Sequence, residues 1–268
     1  MNRILLVACL LAHCCVLTPL NAESLIVGGS GADLGVFSQL ARQFSQQNPS
    51  IKIKVLPSMG SSGGIKALLH NKIDLALTSR KLRSNEITAD IRSLHYASTP
   101  LVFVVAEASS QTSISRAQVN KIYADELRQW SDGSPLRVIL RPTKDSDTKI
   151  LMDVVADCDT CFRQIYQRKG VPVALTDQES ADMVARVPGA IGTSTLTLIL
   201  GENKPLKALQ LDGITPSAET LKNKSYPMYK ELYLVFRQGN KNLQKFIEYV
   251  YSEPAQMILM DTGHLTIR

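Results

Sequence analysis

The spacing of apolar residues divides the chain after its N-terminal segment into alternating strands and helices. Residues 24–29 form a short apolar run and residues 51–57 alternate strictly between apolar and polar, so both are predicted as strands. Between them, residues 33–49 carry apolar side chains at helical spacing and end at a proline. A second predicted helix (62–72) is followed by a third predicted strand (73–79). This β-α-β-α-β order predicts a parallel sheet with helices on its faces.

Two long apolar strands, 99–107 and 231–238, bracket the middle of the chain. Further elements are predicted as a helix at 115–124, a strand at 136–142, helices at 146–156 and 241–252, a helix, turn and strand over 176–199, and a helix with an extended tail over 255–267. We predict an α/β protein of two lobes joined by two crossing strands, with mostly parallel sheets and a ligand cleft between the lobes. Lobe 1 is predicted to comprise 23–102 and 236–268, and lobe 2 is predicted to comprise 103–235.

The first 22 residues have the pattern of a cleaved secretory signal peptide. Arg3 precedes a largely apolar run over 4–19, and cleavage is expected after the small residue Ala22. The alternative is a membrane anchor, but the run is shorter than the roughly 20 residues needed to span a bilayer. Lipoprotein processing at Cys9 is a second alternative, which would leave an apolar segment exposed on the mature protein. We therefore expect a periplasmic protein.

Charge and composition narrow the classes of function. The formal net charge is +6, but the basic residues are scattered and aromatic residues make up only 6%, so no nucleic-acid partner is expected. The chain has no G-x-S-x-G motif, no H-E-x-x-H motif and no P-loop spacing. Its histidines are isolated, so no Ser/His/Asp set can be nominated. We expect no catalysis, no cofactor and no metal.

Two cysteines, Cys158 and Cys161, remain after the signal peptide. In an oxidising compartment a lone pair this close favours a structural disulfide. A redox-active pair is the sharper alternative, although no strand is predicted just before Cys158. Zinc is a third alternative, which would need two further ligands that no nearby histidine supplies.

Four polar turns are predicted to open onto the cleft. They span residues 28–33, 57–69, 78–82 and 141–148. Such turns lie at the carboxyl ends of strands, where α/β sheets bind ligands, and at least three lead into helices whose unpaired N–H groups suit an anion. Arg80 and Arg141 could each bind an oxyanion with two hydrogen bonds. The alternatives are that Ser62 and Ser146 only cap helices, that Arg80 is a surface charge, that Arg141 is a charge at the end of a strand, and that the glycines only make turns.

The order of several segments resembles the phosphate-type substrate-binding proteins of bacterial ABC transporters, within the periplasmic-binding-protein superfamily. The segments are GSSGGIKALLHNKIDLALTSRKL, VNKIYADELRQWSDG, RPTKDSDT, VPGAIGTSTL, LDGITPSAETLKNKSYPMYKELYLVF and YSEPAQMILMDTGHLTI. The resemblance covers nearly the whole mature chain. It implies a type II two-lobed fold and a monomer that captures phosphate or a related oxyanion and delivers it to an ABC permease in the inner membrane.

The resemblance also implies a set of ligand contacts. They are Gly31, Ala32, Ser61, Ser62, Ser79, Arg80, Arg141, Ser146 and Thr148. Two positions depart from the family pattern: Asp147 replaces the glycine of S-G-T, and Asp33 stands where an uncharged residue is common. Each carboxylate near the site would repel a dianion by about 1–4 kcal/mol. The alternative functions are an exported sensory or interaction module with a drifted or lost site, and a thiol-redox protein.

Overall fold

A computed structural model describes residues 23–157 and 159–267, except for the side chains of residues 23, 159 and 161. The predicted signal peptide, Cys158 and the side chain of Cys161 lie outside these described residues, so both the signal peptide and the disulfide stay predictions. Among the helices described, none is long and apolar enough to cross a membrane.

The described chain alternates between strands and helices throughout. The strands are β1 Glu23–Gly29, β2 Ile51–Val55, β3 Leu75–Thr78, β4 Ile91–Ala106, β5 Ser113–Ile114, β6 Arg137–Val138, β7 Ala190–Thr195, β8 Leu206–Ala208, β9 Gln210–Leu211, β10 Tyr229–Arg237 and β11 Leu265–Thr266. The α-helices are α1 Leu34–Gln47, α2 Gly60–Leu69, α3 Arg116–Tyr123, α4 Ser146–Val154, α5 Asp159–Gln164, α6 Asp177–Arg186, α7 Leu196–Gly201, α8 Ala218–Lys222, α9 Lys241–Val250 and α10 Glu253–Asp261. Short 3-10 turns precede α1, follow β3 and follow α5.

One sheet runs through the molecule in the order β2-β1-β3-β10-β4-β7-β6. The pairs β1–β2, β1–β3 and β6–β7 are parallel, as expected for β-α-β units. Strands β4 and β10 run antiparallel to each other and to their outer neighbours β7 and β3. The two-lobed α/β fold is confirmed. The expectation of mostly parallel sheets holds only away from β4 and β10, because a chain that crosses between lobes and returns must reverse its direction.

Two large hydrophobic cores occupy the two lobes. One core gathers buried residues from Leu25 to Ala97 and from Leu232 to Leu259, and the other gathers residues from Leu101 to Met228. The chain therefore passes from one core to the other within β4 and returns to the first core near the start of β10. These two strands connect the lobes, and the exact division of the chain into domains stays a prediction.

Three predicted elements differ from the structure. Strand β4 begins eight residues before the predicted position 99, because its polar first half is paired with β10. The predicted strand 136–142 is reduced to β6, since residues beyond it make only an isolated bridge from Leu140 to Val173. The segment 196–201 is helix α7 rather than strand, because the hydroxyl of Thr195 accepts a hydrogen bond from the backbone N–H of Leu198 and caps a helix.

Candidate functional site

A cleft between the lobes brings together polar turns from both of them. Its volume is about 340 Å³. From lobe 1 it is lined by Ser30, Met59, Gly60, Ser61, Ser62, Ser79, Arg80 and Arg83, and from lobe 2 by Lys144, Asp145, Ser146, Lys149, Ile150 and Asp177. Four of these side chains are basic and two are acidic, so the lining has a formal charge of +2 (4 − 2). Such a lining attracts anions.

Three linked serine hydroxyls lie on the lobe 1 side of the cleft. The Oγ atom of Ser79 lies 3.2 Å from Oγ of Ser30 and 3.1 Å from Oγ of Ser61. The backbone N–H of Ser79 also donates to Oγ of Ser61, at 3.0 Å. These serines follow β1, begin α2 and follow β3, so the three chain turns are fixed to one another by hydroxyl groups that can also donate to a ligand.

Glycines allow the turns of this wall to pack closely. Gly29 has φ +132, and a Cβ atom there would lie 2.1 Å from the carbonyl oxygen of Leu77. A Cβ atom at Gly64 would lie 2.7 Å from Cα of Gly29. Both positions therefore exclude a side chain, which lets α2 and β3 approach the end of β1. This close approach places the start of α2 at the cleft.

Arg80 is held at the rim of the cleft by a carboxylate. Its two terminal nitrogens donate to the carboxylate of Glu86 at 2.7 and 2.8 Å, and one of them also donates to Oγ of Ser62 at 3.1 Å. The hydrogen bond from Arg80 is the main cause that lowers the pKa of Glu86. The terminal nitrogen nearer Lys81 also donates to the carbonyl of that residue at 2.9 Å. The four terminal N–H groups of Arg80 are therefore engaged at the cleft rim, and its Nε–H is the donor left for an anion.

The lobe 2 wall is the beginning of helix α4. Asp145 is its N-cap and accepts a hydrogen bond from the backbone N–H of Asp147 at 2.9 Å. Lys144, Ser146 and Lys149 line the cleft around it. Burial, followed by repulsion from Asp147, raises the pKa of Asp145 to about 6. This wall therefore offers two ammonium groups, one hydroxyl and a carboxylate that takes up a proton in mildly acidic solution.

A buried charge cluster lies behind this wall. Arg141 donates to the carboxylate of Asp145 at 3.0 Å and to the carbonyl of Ala174 at 2.9 Å. Lys230, on β10, contacts the carboxylate of Asp147 and lies 3.1 Å from Asp177. Burial opposes ionisation of Asp147, but the charges of Lys230 and Arg141 outweigh it and lower the pKa of Asp147. Asp147, which replaces the glycine of the S-G-T segment, is thus paired with the buried ammonium group of Lys230.

Asp33 is also buried and engaged away from the cleft. Its carboxylate lies 2.8 Å from Nε2 of His264 and accepts a hydrogen bond from the hydroxyl of Tyr96. The other ring nitrogen of His264 lies 2.8 Å from the carbonyl oxygen of Leu259. The sequence placed Asp33 at the site as a source of repulsion, whereas the structure places it in a contact between the first loop and the C-terminal segment.

The structure brings together five of the nine predicted contact residues. Those that line the cleft are Ser61, Ser62, Ser79, Arg80 and Ser146. Gly31 and Ala32 are buried next to it, and their carbonyls accept hydrogen bonds from Gln178 and from the hydroxyls of Thr195 and Thr197. Arg141 and Thr148 are buried behind the lobe 2 wall. The hydroxyl of Thr148 donates to the carbonyls of Arg141 and Pro142 rather than facing the cleft.

Sequence reasoning missed several residues that line the cleft. Ser30 lies inside the predicted first turn and Lys144 inside the fourth, so the hydroxyl and ammonium groups of these residues could have been predicted to contact the ligand. Asp177 gave no such signal, because it reads as an ordinary acidic residue in the first turn of a helix. Within the described residues, no group of three or more His, Cys, Asp or Glu side chains is arranged to hold a metal ion.

Comparisons with known proteins agree with this architecture. The phosphate-binding protein PstS of Borreliella burgdorferi is 23% identical over 257 residues, which are 92% of this chain and 91% of the relative. A protein from Clostridium perfringens, assigned to ABC phosphate transport and solved with phosphate bound, superimposes with a TM-score of 0.77 at 19% identity, over 92% of this chain and 100% of that one. The reduced OxyR regulatory domain of Pseudomonas aeruginosa shares the fold more distantly, with a TM-score of 0.56 at 11% identity over 89% of this chain and 98% of that one. A family model described as a PBP superfamily domain matches residues 18–254, so the chain belongs to the PBP superfamily.

Proposed function

We propose that this protein captures phosphate or a related tetrahedral oxyanion in its interlobe cleft, outside the cytoplasm, and delivers it to the permease of an ABC transporter. The observation that carries the proposal is the meeting of three linked serine hydroxyls with basic side chains from both lobes around one cleft. The relatedness to phosphate-binding proteins of similar length supports the same ligand class. We propose that the protein acts as a monomer and by binding alone.

The two walls suggest how an oxyanion would be held. Lobe 1 supplies the hydroxyls of Ser61 and Ser79 and the guanidinium of Arg80, which Glu86 fixes in place. Lobe 2 supplies the hydroxyl of Ser146 and those N-terminal N–H groups of α4 that the carboxylate of Asp145 does not cap. Because each lobe carries part of the donor set, an anion would be bound most fully when both walls close on it.

Calorimetry tests this proposal with phosphate, sulfate, molybdate and tungstate as separate ligands. We expect affinity in the micromolar range or tighter for at least one of them. Ser61→Ala should weaken binding roughly 2- to 10-fold through loss of one hydrogen bond. Ser93→Ala, which removes an exposed hydroxyl of lobe 1, is the matched control and should leave affinity unchanged. Absence of heat and of any thermal shift with all four ligands would refute oxyanion transport.

One observation favours the second candidate, an exported sensory or interaction module. Arg141 is occupied by Asp145 and lies 3.8 Å from Asp177, so the arginine that the resemblance assigns to the ligand is held by carboxylates instead. Calorimetry of the wild type with the four oxyanions separates the two functions, because an interaction module should bind none of them. Where phosphate binds, Arg141→Ala should weaken it severalfold if Arg141 reaches the anion, and unchanged affinity would show that Arg141 only holds the carboxylates behind the wall.

A further inference from the structure

A second cavity lies in lobe 2, outside the cleft just described. It has a volume of about 400 Å³ and is formed by β6, the loop after α3 and residues 168–172. Its lining is largely apolar and includes Leu136, Val138, Ile139, Val171 and Pro172. Three arginines, Arg128, Arg137 and Arg168, also line it, and we call this cavity the arginine groove.

The charges of the arginine groove are unbalanced. Among the residues that the structure describes, Asp125 is the one carboxylate that lines the groove. Nη2 of Arg128 lies 2.5 Å from this carboxylate, and Arg168 contacts its other oxygen. Arg137 donates to the backbone carbonyl of Pro188, at 2.5 Å, rather than to an acid. Three guanidinium groups thus face one carboxylate, for a formal charge of +2 (3 − 1). The side chains of Arg128 and Arg168 are 64% and 44% exposed, so an approaching acid can reach them.

An open backbone edge, at the isolated bridge between Leu140 and Val173, adjoins the groove. The backbone N–H of Leu140 donates to the carbonyl of Pro172 at 2.9 Å, and the N–H of Ala174 donates to the carbonyl of Leu140 at 2.8 Å. This parallel pairing turns the N–H and C=O of Val173 away from the sheet, and no described residue hydrogen-bonds to either group. Val173 is 40% exposed and Leu175 is 70% exposed. Open edges with apolar side chains are places where another strand can pair.

We propose that the arginine groove and the edge at Val173 bind an extended, acidic segment of a partner protein. The segment adds a strand beside residues 171–174 and places its carboxylates against the arginines. A lipid headgroup would satisfy the arginines but would leave the backbone groups of Val173 unpaired, so the open edge favours a polypeptide. The charge of the groove favours an acidic one.

This surface is separate from the oxyanion cleft. The chain runs in extended form from Arg137, at the groove, to Arg141, behind the cleft, which is four residues or about 13 Å. The groove and the cleft share no lining residue. The groove and the cleft therefore use different side chains for binding, and the proposal does not depend on the proposed transport function.

The test uses a fluorescein-labelled peptide of three Glu-Val repeats and measures its fluorescence anisotropy with the purified protein at low salt. We expect saturable binding that weakens as salt is added. A peptide of three Gln-Val repeats should bind about tenfold more weakly, and so should a Glu-Val peptide with alternate backbone nitrogens methylated. Arg137→Gln and, independently, Arg168→Gln should each weaken the Glu-Val peptide severalfold. Arg42→Gln, which removes an exposed charge from α1, is the matched control and should have no effect.

Several results would overturn the proposal. They are absence of saturable binding of the Glu-Val peptide, equal binding of the Gln-Val or methylated peptide, and equal loss in Arg42→Gln. Binding to phosphatidylglycerol vesicles without binding of the peptide would assign the groove to lipid instead. Two arginine variants are used so that a local disturbance of the Pro188 turn in one of them cannot account for both results.

Discussion

Lys230 gives the sharpest prediction for stability. Lys230 is 2% exposed, and its ammonium group contacts Asp147 and lies 3.1 Å from Asp177. In Lys230→Met the apolar stem is retained and the charge is lost. The two carboxylates then depend on Arg141, whose nearest nitrogens are 3.9 and 3.8 Å away. Breaking a buried ion pair on one side costs about 3–5 kcal/mol.

The loss of stability in Lys230→Met should be smaller at lower pH. In the wild type the folded-state pKa of Asp147 is lowered, so its contribution to stability is present above the unfolded pKa of about 3.9 and is lost as pH falls through the lowered value. Without Lys230 the pKa of Asp147 rises, and protonation relieves the buried charge. The difference between variant and wild type should therefore shrink as pH falls from 7 toward 4.

Urea unfolding at pH 7, 5.5 and 4, followed by circular dichroism, measures both effects. At pH 7 the loss of 3–5 kcal/mol corresponds to a melting temperature lower by roughly 6–20 °C. Asp147→Asn combined with Lys230→Met removes both charges and should recover most of the stability. A loss of less than about 1 kcal/mol in the single variant, or one that is equal at all three pH values, would refute the ion-pair argument.

Three further predictions concern other charged contacts. Asp145 should titrate with a midpoint of about 6 in carbon-detected NMR. Because burial raises its folded-state pKa, the free energy of unfolding should fall as pH rises from about 4 to about 6, and Asp145→Asn should abolish that fall in urea unfolding. Tyr96→Phe removes the hydroxyl donor to the buried Asp33 and should cost about 1.5–3 kcal/mol in the same assay, whereas no loss would show that the contact is not stabilising. Glu86→Gln loosens Arg80 and should weaken phosphate binding roughly 1.5- to 5-fold in calorimetry; unchanged affinity would show that Arg80 does not need this partner.

The fold was predictable where its signal is local. Strands β1 to β3 and helix α1 follow from alternation and helical spacing within one short segment each. The first half of β4 has no such signal, because its exposed and mixed residues become a strand only through pairing with β10, more than a hundred positions later. Long-range pairing of this kind cannot be read from a single segment.

The site was predictable in the same uneven way. Glycine and serine turns mark the lobe 1 wall in the sequence, and the structure places Ser61, Ser62 and Ser79 at the cleft. The role of a charged residue depends on its partner, which is often distant. Asp33 is held by His264, 231 positions away, and nothing near Asp33 in the sequence indicates that contact.

Asp147 shows what this distance means for the ligand. Considered alone, its carboxylate would repel a dianion, but its contact with Lys230 makes a neutral pair whose field falls off faster with distance than that of a single charge. The carboxylates that do line the cleft are those of Asp145 and Asp177, against four basic side chains. Asp177 also lies 3.1 Å from Lys230, and Asp145 lies 3.0 Å from Arg141, so each is partly neutralised from behind. The electrostatic objection to phosphate that the sequence raises at Asp147 is therefore removed by a lysine on the strand that crosses between the lobes.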